Sequence, residues 1–290
     1  MQLDIFEHSR DVMLRSDVVD ALLRRDGAAA RSAWRTLGEE FRADECPPVL
    51  GVLVSALERC PAAPFANHDA ARAARLELLQ QIEPAAMRML GQASGAAWLA
   101  LQWAALAQVA ARLPFQPDRS DEHAAPLWLR AGNWDAAIGA VSRIESWRRI
   151  PAPLGWMAEA HHRAHGLDAA WPLLVELAWL SPERFDALVR GLDDLALAAL
   201  RKGFDAGYEG DGTRSDMAWF PAWVLTVRPA LAPRLNEANP SHGGAPQQAI
   251  RLVVELLRLE RDGRHRELIE RRKALRAIGA ALYAAYMKTR

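Results

Sequence analysis

Two histidines in this chain have a spacing that metal ions use. His161 and His165 lie four residues apart in a stretch with helical spacing, so both imidazoles project from one helix face. Helical zinc pairs use this separation and take further ligands from elsewhere in the fold. No third ligand follows nearby in sequence, and His123 or an acid would have to supply it. The pair predicts a metal site, with a partly exposed polar helix face as the alternative.

Residues 205–216 form a second candidate site, a loop rich in glycine and acids. Its carboxylates can bind a cation, although their order does not match a calcium loop. Loops of this length are often functional. A surface loop that covers a groove is the alternative. The carboxylates belong to Asp205, Glu209, Asp211 and Asp216.

The end of the chain carries a local excess of positive charge. Residues 251–290 hold 11 Lys or Arg against 5 Asp or Glu, whereas the whole chain has 36 of each kind. A basic stripe of this sort can bind a nucleic-acid backbone through phosphate contacts, and a solvated helix face is the alternative. The predicted stripe consists of Arg264, Arg266, Arg271, Arg272, Lys273 and Arg276.

Composition narrows the functional classes. The formal net charge is +0 with a pI of about 7.1, so nothing attracts the whole chain to nucleic acid or anionic lipid. Cys46 and Cys60 have neither metal-ligand spacing nor the number that a disulfide scaffold needs. The sequence contains no phosphate-binding glycine loop, nucleophile elbow or CxxC pair. We therefore expect a non-enzymatic protein that uses no cofactor.

Two stretches bear on location. The N-terminus has acids where a secretory signal would have Lys or Arg, which predicts a cytoplasmic protein. The uncharged run from residue 89 to 111 includes several polar side chains among many alanines. We interpret it as a helix buried in protein, and we expect no membrane segment.

The elements that position these groups are helical throughout. Almost every segment has apolar residues at helical spacing, and none has sustained period-two alternation, which predicts an all-α fold. Turn signals at Asp26-Gly27 and Asp262-Gly263 predict helical hairpins. A segment with two prolines, residues 113–120, predicts a boundary between an N-terminal region 1–116 and a region 117–290. Both regions can belong to one continuous superhelix.

The stretch from Trp128 to Pro182 contains two successive hairpins. Their turn glycines, Gly132 and Gly166, lie 34 residues apart, the period of one helix-turn-helix repeat class. Residues 121–183 resemble tetratricopeptide-like repeats. The second repeat fits best, although His162 stands where that family usually has an aromatic residue. Four residues of this repeat lie at the family's small, large, small-or-apolar and terminal proline positions, in that order: Ala170, Leu174, Leu177 and Pro182.

This resemblance implies a right-handed α-α superhelix, a solenoid of stacked hairpins, whose concave face binds a protein or peptide. A hairpin cannot bury both of its faces alone, so such units stack on their neighbours. We therefore expect a protein-binding scaffold or adaptor. The alternative is a metal-binding or enzymatic helical protein with its site near His161 and His165 or in the 205–216 loop.

The first residues of the chain resemble a short docking peptide. Gln2, Leu3, Asp4, Ile5 and Phe6 are similar to the peptide by which bacterial polymerases and repair proteins bind the sliding clamp. The resemblance implies that Gln2 would hydrogen-bond at the rim of the clamp pocket while Leu3, Ile5 and Phe6 fill apolar subsites. Because the peptide runs directly into a helical sequence, packing of Ile5 and Phe6 on the first hairpin is the alternative.

Overall fold

A computed structural model describes residues 2–42, 45–59, 63–238 and 243–290, and it describes the side chains from residue 10 onward. The described residues form α-helices with short 3-10 and π-helical turns, and they include no strand. The prediction of an all-α fold is therefore confirmed. None of the described helices combines the length and apolar character needed to cross a membrane.

The chain divides into two compact units, Met1–Asn133 and Trp134–Arg290. The proline-rich segment 113–120 thus lies inside the first unit. The division between the units falls within the first of the two predicted repeats, immediately after its turn glycine, Gly132. The second predicted repeat lies entirely in the second unit.

The first unit contains seven α-helices in its described residues. A π-helical turn at Leu78–Ile82 joins two of them, and a 3-10 helix covers Pro117–Glu122. The α-helices are α1 (Gln2–Leu23), α2 (Gly27–Glu40), α3 (Cys46–Glu58), α4 (His68–Glu77), α5 (Glu83–Leu90), α6 (Gln92–Ala110) and α7 (Ala124–Arg130).

The first hairpin turns where its sequence predicts. Asp26 caps α2, and its side chain accepts the Ala29 backbone N–H at 2.9 Å. Arg25, with φ of 59°, takes the left-handed conformation, while Gly27 is already the first residue of the helix. A comparable cap starts α4, where Asn67 accepts the Ala70 N–H at 2.9 Å.

The structure differs from the sequence pattern at Pro84. The proline predicts the start of a separate short helix, but α4 continues through the π-helical turn into α5. Proline lacks a backbone N–H, and its ring crowds the carbonyl four residues earlier. The wider π-helical turn accommodates both effects, so the helical course is preserved.

Helix α6 is the apolar helix that the sequence predicts, but it is not covered on every side. Trp98 is buried, and its indole N–H donates to the Leu22 carbonyl at 3.1 Å, which ties α6 to α1. Leu101, which the periodicity assigns to the same face, is 52% exposed. Periodicity identifies an apolar face but not the extent to which neighbours cover it.

The second unit contains nine α-helices in its described residues, together with three 3-10 helices. The 3-10 helices cover Trp147–Arg149, Arg214–Ala218 and Pro229–Glu237. The α-helices are α8 (Trp134–Ser142), α9 (Pro151–His165), α10 (Leu167–Leu180), α11 (Pro182–Gly191), α12 (Leu195–Gly207), α13 (Phe220–Val227), α14 (Ala245–Arg261), α15 (His265–Ile278) and α16 (Ala280–Lys288).

The hairpin of α9 and α10 supplies the core of the second unit. Gly166 links the two helices with φ of 81°, a conformation that glycine adopts without steric cost. Every residue from Ala170 to Ala178 in α10 is buried, and Trp171 is completely enclosed. Helix α10 is therefore a central helix, and its last turn reaches the pocket described below.

The final hairpin has a break that its periodicity does not reveal. The pattern through Leu275, Ile278 and Leu282 predicts one continuous helix, but the structure separates α15 from α16 at Gly279. A Cβ atom at Gly279 would lie 2.8 Å from the ring of Trp219. The close approach of this indole therefore requires glycine at the break.

Candidate functional site

A pocket of about 460 Å³ lies in the second unit, where the end of α10, the 3-10 helix Pro229–Glu237 and the start of α14 meet. Its volume falls within the usual range for ligand sites, roughly 300 to 1,000 Å³. Residues 239–242, which follow Ala238 in the chain, lie outside the described residues. The lining consists of Trp179, Ala232, Leu235, Asn236, Ala238, Gln247, Ile250, Arg251, Val254 and Glu255.

Local sequence explains how these side chains meet. Ser181 ends α10 and Pro182 begins α11, which places Trp179 in the last turn of α10. In α14, the pocket residues lie three, four, seven and eight positions after Gln247, so they form one helix face. That face is apolar at Ile250 and Val254, and it carries polar groups at both ends and in the middle.

The most informative residue of the pocket is Gln247. Its side chain is only 3% exposed, yet neither its amide nitrogen nor its amide oxygen has a hydrogen-bond partner in the described protein. The indole nitrogen of Trp179, which lines the same pocket, is also buried without a partner there. A buried polar group without a partner costs roughly 1–3 kcal/mol. These three atoms are sealed from solvent, so a ligand that supplies their partners must turn the Gln247 and Trp179 side chains toward the cavity as it enters. Other buried nitrogens, such as those of Gln102 and Trp171, also lack partners, but these residues do not line this pocket.

The charges at the pocket are not equivalent. Glu255 is bound by Arg271, with 2.9 Å between Oε2 and Nε. Arg251 is exposed, and no carboxylate among the described residues lies within ion-pair distance of it. It also lies one helical turn from Gln247 on the same face. The guanidinium of Arg251 is therefore available to an anionic group of a ligand.

The predicted metal pair is close in space but is not completed. The rings of His161 and His165 have centroids 5.7 Å apart. No set of three or more His, Cys, Asp or Glu side chains in the described residues is arranged to hold a metal ion. The third ligand that the prediction needs is thus not found there. Partial burial, with His165 and Arg148 nearby, lowers the pKa of the His161 imidazole.

The structure instead uses the intervening His162, which the sequence pattern marks only as a departure from the repeat. Its side chain is buried, and its Nε2 lies 2.8 Å from Oδ2 of Asp194. Asp194 also caps α12 by accepting the N–H groups of Ala196 and Leu197. Burial alone would raise the pKa of Asp194, but hydrogen bonds from Leu197, His162 and Ala196 lower it. This pair joins α9 to α12, so its role is structural.

The residue after this cap differs from the pattern of apolar residues in the sequence. The helical pattern assigns Leu195 to the core, but this side chain is 88% exposed. Leu195 is the first residue of α12, immediately after the Asp194 cap, and it points away from the buried face that carries Leu197 and Phe204.

Most of the predicted basic stripe is already paired. The six cations lie in or beside α15. Four of them pair with acids, and a fifth lies over an aromatic ring. Those contacts are Arg264 with Glu267 at 2.6 Å, Arg271 with Glu255 at 2.9 Å, Arg272 with Glu260 at 3.4 Å, Lys273 with Glu270 at 2.9 Å, and Arg276 with the Tyr283 ring at 5.9 Å. Arg266 is exposed. Nucleic-acid binding by this stripe stays a prediction.

In the acidic loop, one carboxylate bonds the loop backbone and two others pair with cations outside the loop. Asp216 accepts the backbone N–H groups of Gly212 at 2.8 Å and Asp211 at 3.3 Å. Asp205 pairs with Arg201, while Glu209 pairs with Lys288 at 3.3 Å. The loop borders a polar cavity of about 310 Å³. Asp205, Glu209 and Asp216 therefore act as structural partners in this structure.

The docking peptide is part of the first helix. The backbone of residues 2–6 belongs to α1, which begins at Gln2. The side chains of Gln2, Leu3, Asp4, Ile5 and Phe6 lie outside the described residues, so the choice between clamp binding and packing on the hairpin stays open. Clamp binding therefore stays a prediction from the sequence.

Comparison with known proteins identifies no relative. A scan against protein-family models found no match, and searches of curated proteins and of solved structures found no significantly similar chain. The functional argument therefore depends on the geometry of the pocket and on its unpartnered groups.

Proposed function

We propose that this chain is a non-enzymatic protein- or peptide-binding scaffold. The pocket that Trp179 and Gln247 help to line receives an apolar side chain of its partner. The observation that carries the proposal is the buried carboxamide of Gln247, which has no partner beside an apolar cavity. Transfer of a Leu or Phe side chain into such a site contributes about 1.5–3 kcal/mol. The lining also includes an amide, an indole, a guanidinium and an ion-paired carboxylate, which can form hydrogen bonds or ion pairs with a partner.

We further infer that the helical hairpins of each unit stack as tetratricopeptide-like repeats do, and that a concave face contacts the partner. Support comes from the α9–α10 hairpin at Gly166 and from the α14–α15 hairpin at Gly263, since both turn glycines have positive φ. The complete burial of Trp171 and Val253 supports the inference, because an isolated hairpin cannot bury both of its faces.

A peptide selection tests the function. Displayed random peptides are selected on the wild type and then tested on Ala232→Trp, which fills the pocket with a large side chain. Leu195→Ser is the matched control, because it removes an exposed apolar side chain of the same unit outside this pocket. We expect selected peptides to carry a branched or aromatic residue, to lose binding to Ala232→Trp and to keep binding to Leu195→Ser. Unchanged binding by a folded Ala232→Trp variant would contradict the proposal.

A further inference from the structure

The missing hydrogen-bond partners at the pocket specify more than an apolar side chain. The carboxamide of Gln247 offers one kind of donor and one kind of acceptor, the same pair that a peptide group offers in reverse. The Trp179 indole adds a second donor. A ligand that satisfies all three atoms supplies one N–H and two carbonyl oxygens near its apolar side chain, which two consecutive peptide groups do.

The required groups restrict the conformation of the partner. In an α-helix or inside a sheet, the backbone N–H and C=O groups are already bonded to each other. A helical partner would fill the cavity but would leave Gln247 without a partner, at the full cost of its desolvation. An extended segment outside regular structure has free peptide groups and meets both needs.

The charge at the rim restricts the sequence of that segment. Arg251 has no acid within ion-pair distance among the described residues, whereas Glu255 is bound by Arg271 at 2.9 Å. Gln247 lies in the first turn of the 17-residue helix α14, so the pocket includes a residue beside the positive end of that helix. Both features favour a negative group next to the bound apolar side chain.

We infer that the pocket binds an extended, internal segment of another protein in which an acidic residue is adjacent to a branched or aromatic apolar residue. The cavity receives the apolar side chain, and Arg251 pairs with the acid. The side chains of Gln247 and Trp179, whose polar atoms are sealed in the free protein, turn toward the cavity and bond the peptide backbone. This inference rests on the proposed function, because it specifies the partner of the same pocket.

Short synthetic peptides test the inference. The probes are acetylated and amidated pentapeptides with a central leucine, with aspartate immediately before or after it, and the same peptides with asparagine in place of aspartate. Their binding to the wild type, Arg251→Gln and Arg258→Gln is measured by ligand-observed NMR at low ionic strength. Arg258 is the matched control, because it is an exposed arginine near the other end of α14, 3.6 Å from Asp262.

The better aspartate peptide should bind the wild type about threefold more tightly than its asparagine analogue, the gain expected of an ion pair with an exposed arginine at low ionic strength. Arg251→Gln should remove this preference and Arg258→Gln should keep it. Methylation of the leucine nitrogen, which removes the backbone N–H, should weaken binding to the wild type but not to Gln247→Leu.

The outcomes separate the two proposals. The inference would be overturned if the aspartate and asparagine peptides bound the wild type equally. It would also be overturned if the N-methylated and unmethylated peptides bound the wild type equally. In both cases a peptide-binding pocket would remain. If no leucine peptide bound but α-helical peptides did, the extended conformation would be wrong. If no peptide of any kind bound, the proposed function would fail with it.

Discussion

The polar side chains at the two ends of helix α14 differ in whether their hydrogen bonds are formed. Near its C-terminal end, Glu260 accepts a hydrogen bond from the hydroxyl of the buried Tyr286, and it pairs with Arg290 at 2.7 Å and Arg272 at 3.4 Å. Near its N-terminal end, Gln247 is as deeply buried as many core residues, but no described group bonds its amide. The same helix therefore carries one satisfied cluster and one unsatisfied group.

This difference separates a structural role from a binding role. Burial and the bond to Glu260 raise the pKa of Tyr286, so the phenol stays a neutral donor within its cluster. A satisfied network of this kind stabilises the fold. An unsatisfied buried amide lowers stability, and natural proteins keep such costs mainly where function requires them. The contrast thus favours the pocket, and not the charged final hairpin, as the place where the second unit binds a partner.

The largest expected effect comes from breaking the satisfied end. Glu260→Gln should lower the free energy of unfolding by about 2 kcal/mol, because hydrogen bonds to a charged group contribute roughly 1.5–3 kcal/mol each and part of this is recovered by the amide. Urea denaturation measures the change. Glu270→Gln, which removes a surface partner of Lys273 at 2.9 Å, is the control and should change stability by less than about 0.5 kcal/mol. Equal losses in the two variants would remove the distinction.

A smaller effect of opposite sign is expected at the unsatisfied end. Gln247→Leu replaces a buried amide without partners by an apolar side chain, and it should raise the free energy of unfolding by about 1 kcal/mol while weakening peptide binding. Gln248→Leu is the neighbouring control, because Gln248 is exposed and its amide donates to the Gly243 carbonyl at 2.9 Å. It should give no gain in stability. A loss of stability in Gln247→Leu would show that the amide has a structural partner.

The smallest effect concerns the histidines, whose surroundings differ from both ends of α14. The folded-state pKa of His161 is lowered, chiefly by partial burial and then by His165 and Arg148. The unfolded chain therefore takes up this proton first, and stability should decline as the pH falls from about 6.5 through the folded pKa. His161→Gln should flatten this part of the pH profile of unfolding. An unchanged profile would contradict the assignment.

Much of the fold follows from local sequence signals. The hairpin at Asp26 and the turn at Gly166 are predicted because each depends on the chemistry of a few adjacent residues. The π-helical turn before Pro84 and the break at Gly279 are not predicted. The first depends on how a helix absorbs a proline, and the second depends on the ring of Trp219, which is distant in sequence.

The pocket is less predictable than the fold. Trp179 has an apolar context that assigns it to the core, and only the packing of the 3-10 helix Pro229–Glu237 shows that it borders a cavity. One signal for Gln247 does exist in the sequence, since it shares a helical face with Ile250 and Val254. An amide on an apolar stripe suggests a buried polar group, but the absence of a partner for it is visible only in three dimensions.

The central claim is that the amide of Gln247 bonds a bound peptide, and the side-chain amide resonances of the wild type test it most directly. Titration with a leucine-centred aspartate peptide should shift the Gln247 side-chain N–H signals, and those of the neighbouring exposed Gln248 should stay in place. Assignments are made by comparison with Gln247→Leu and Gln248→Leu. Peptide binding that leaves the Gln247 signals unmoved would contradict the account.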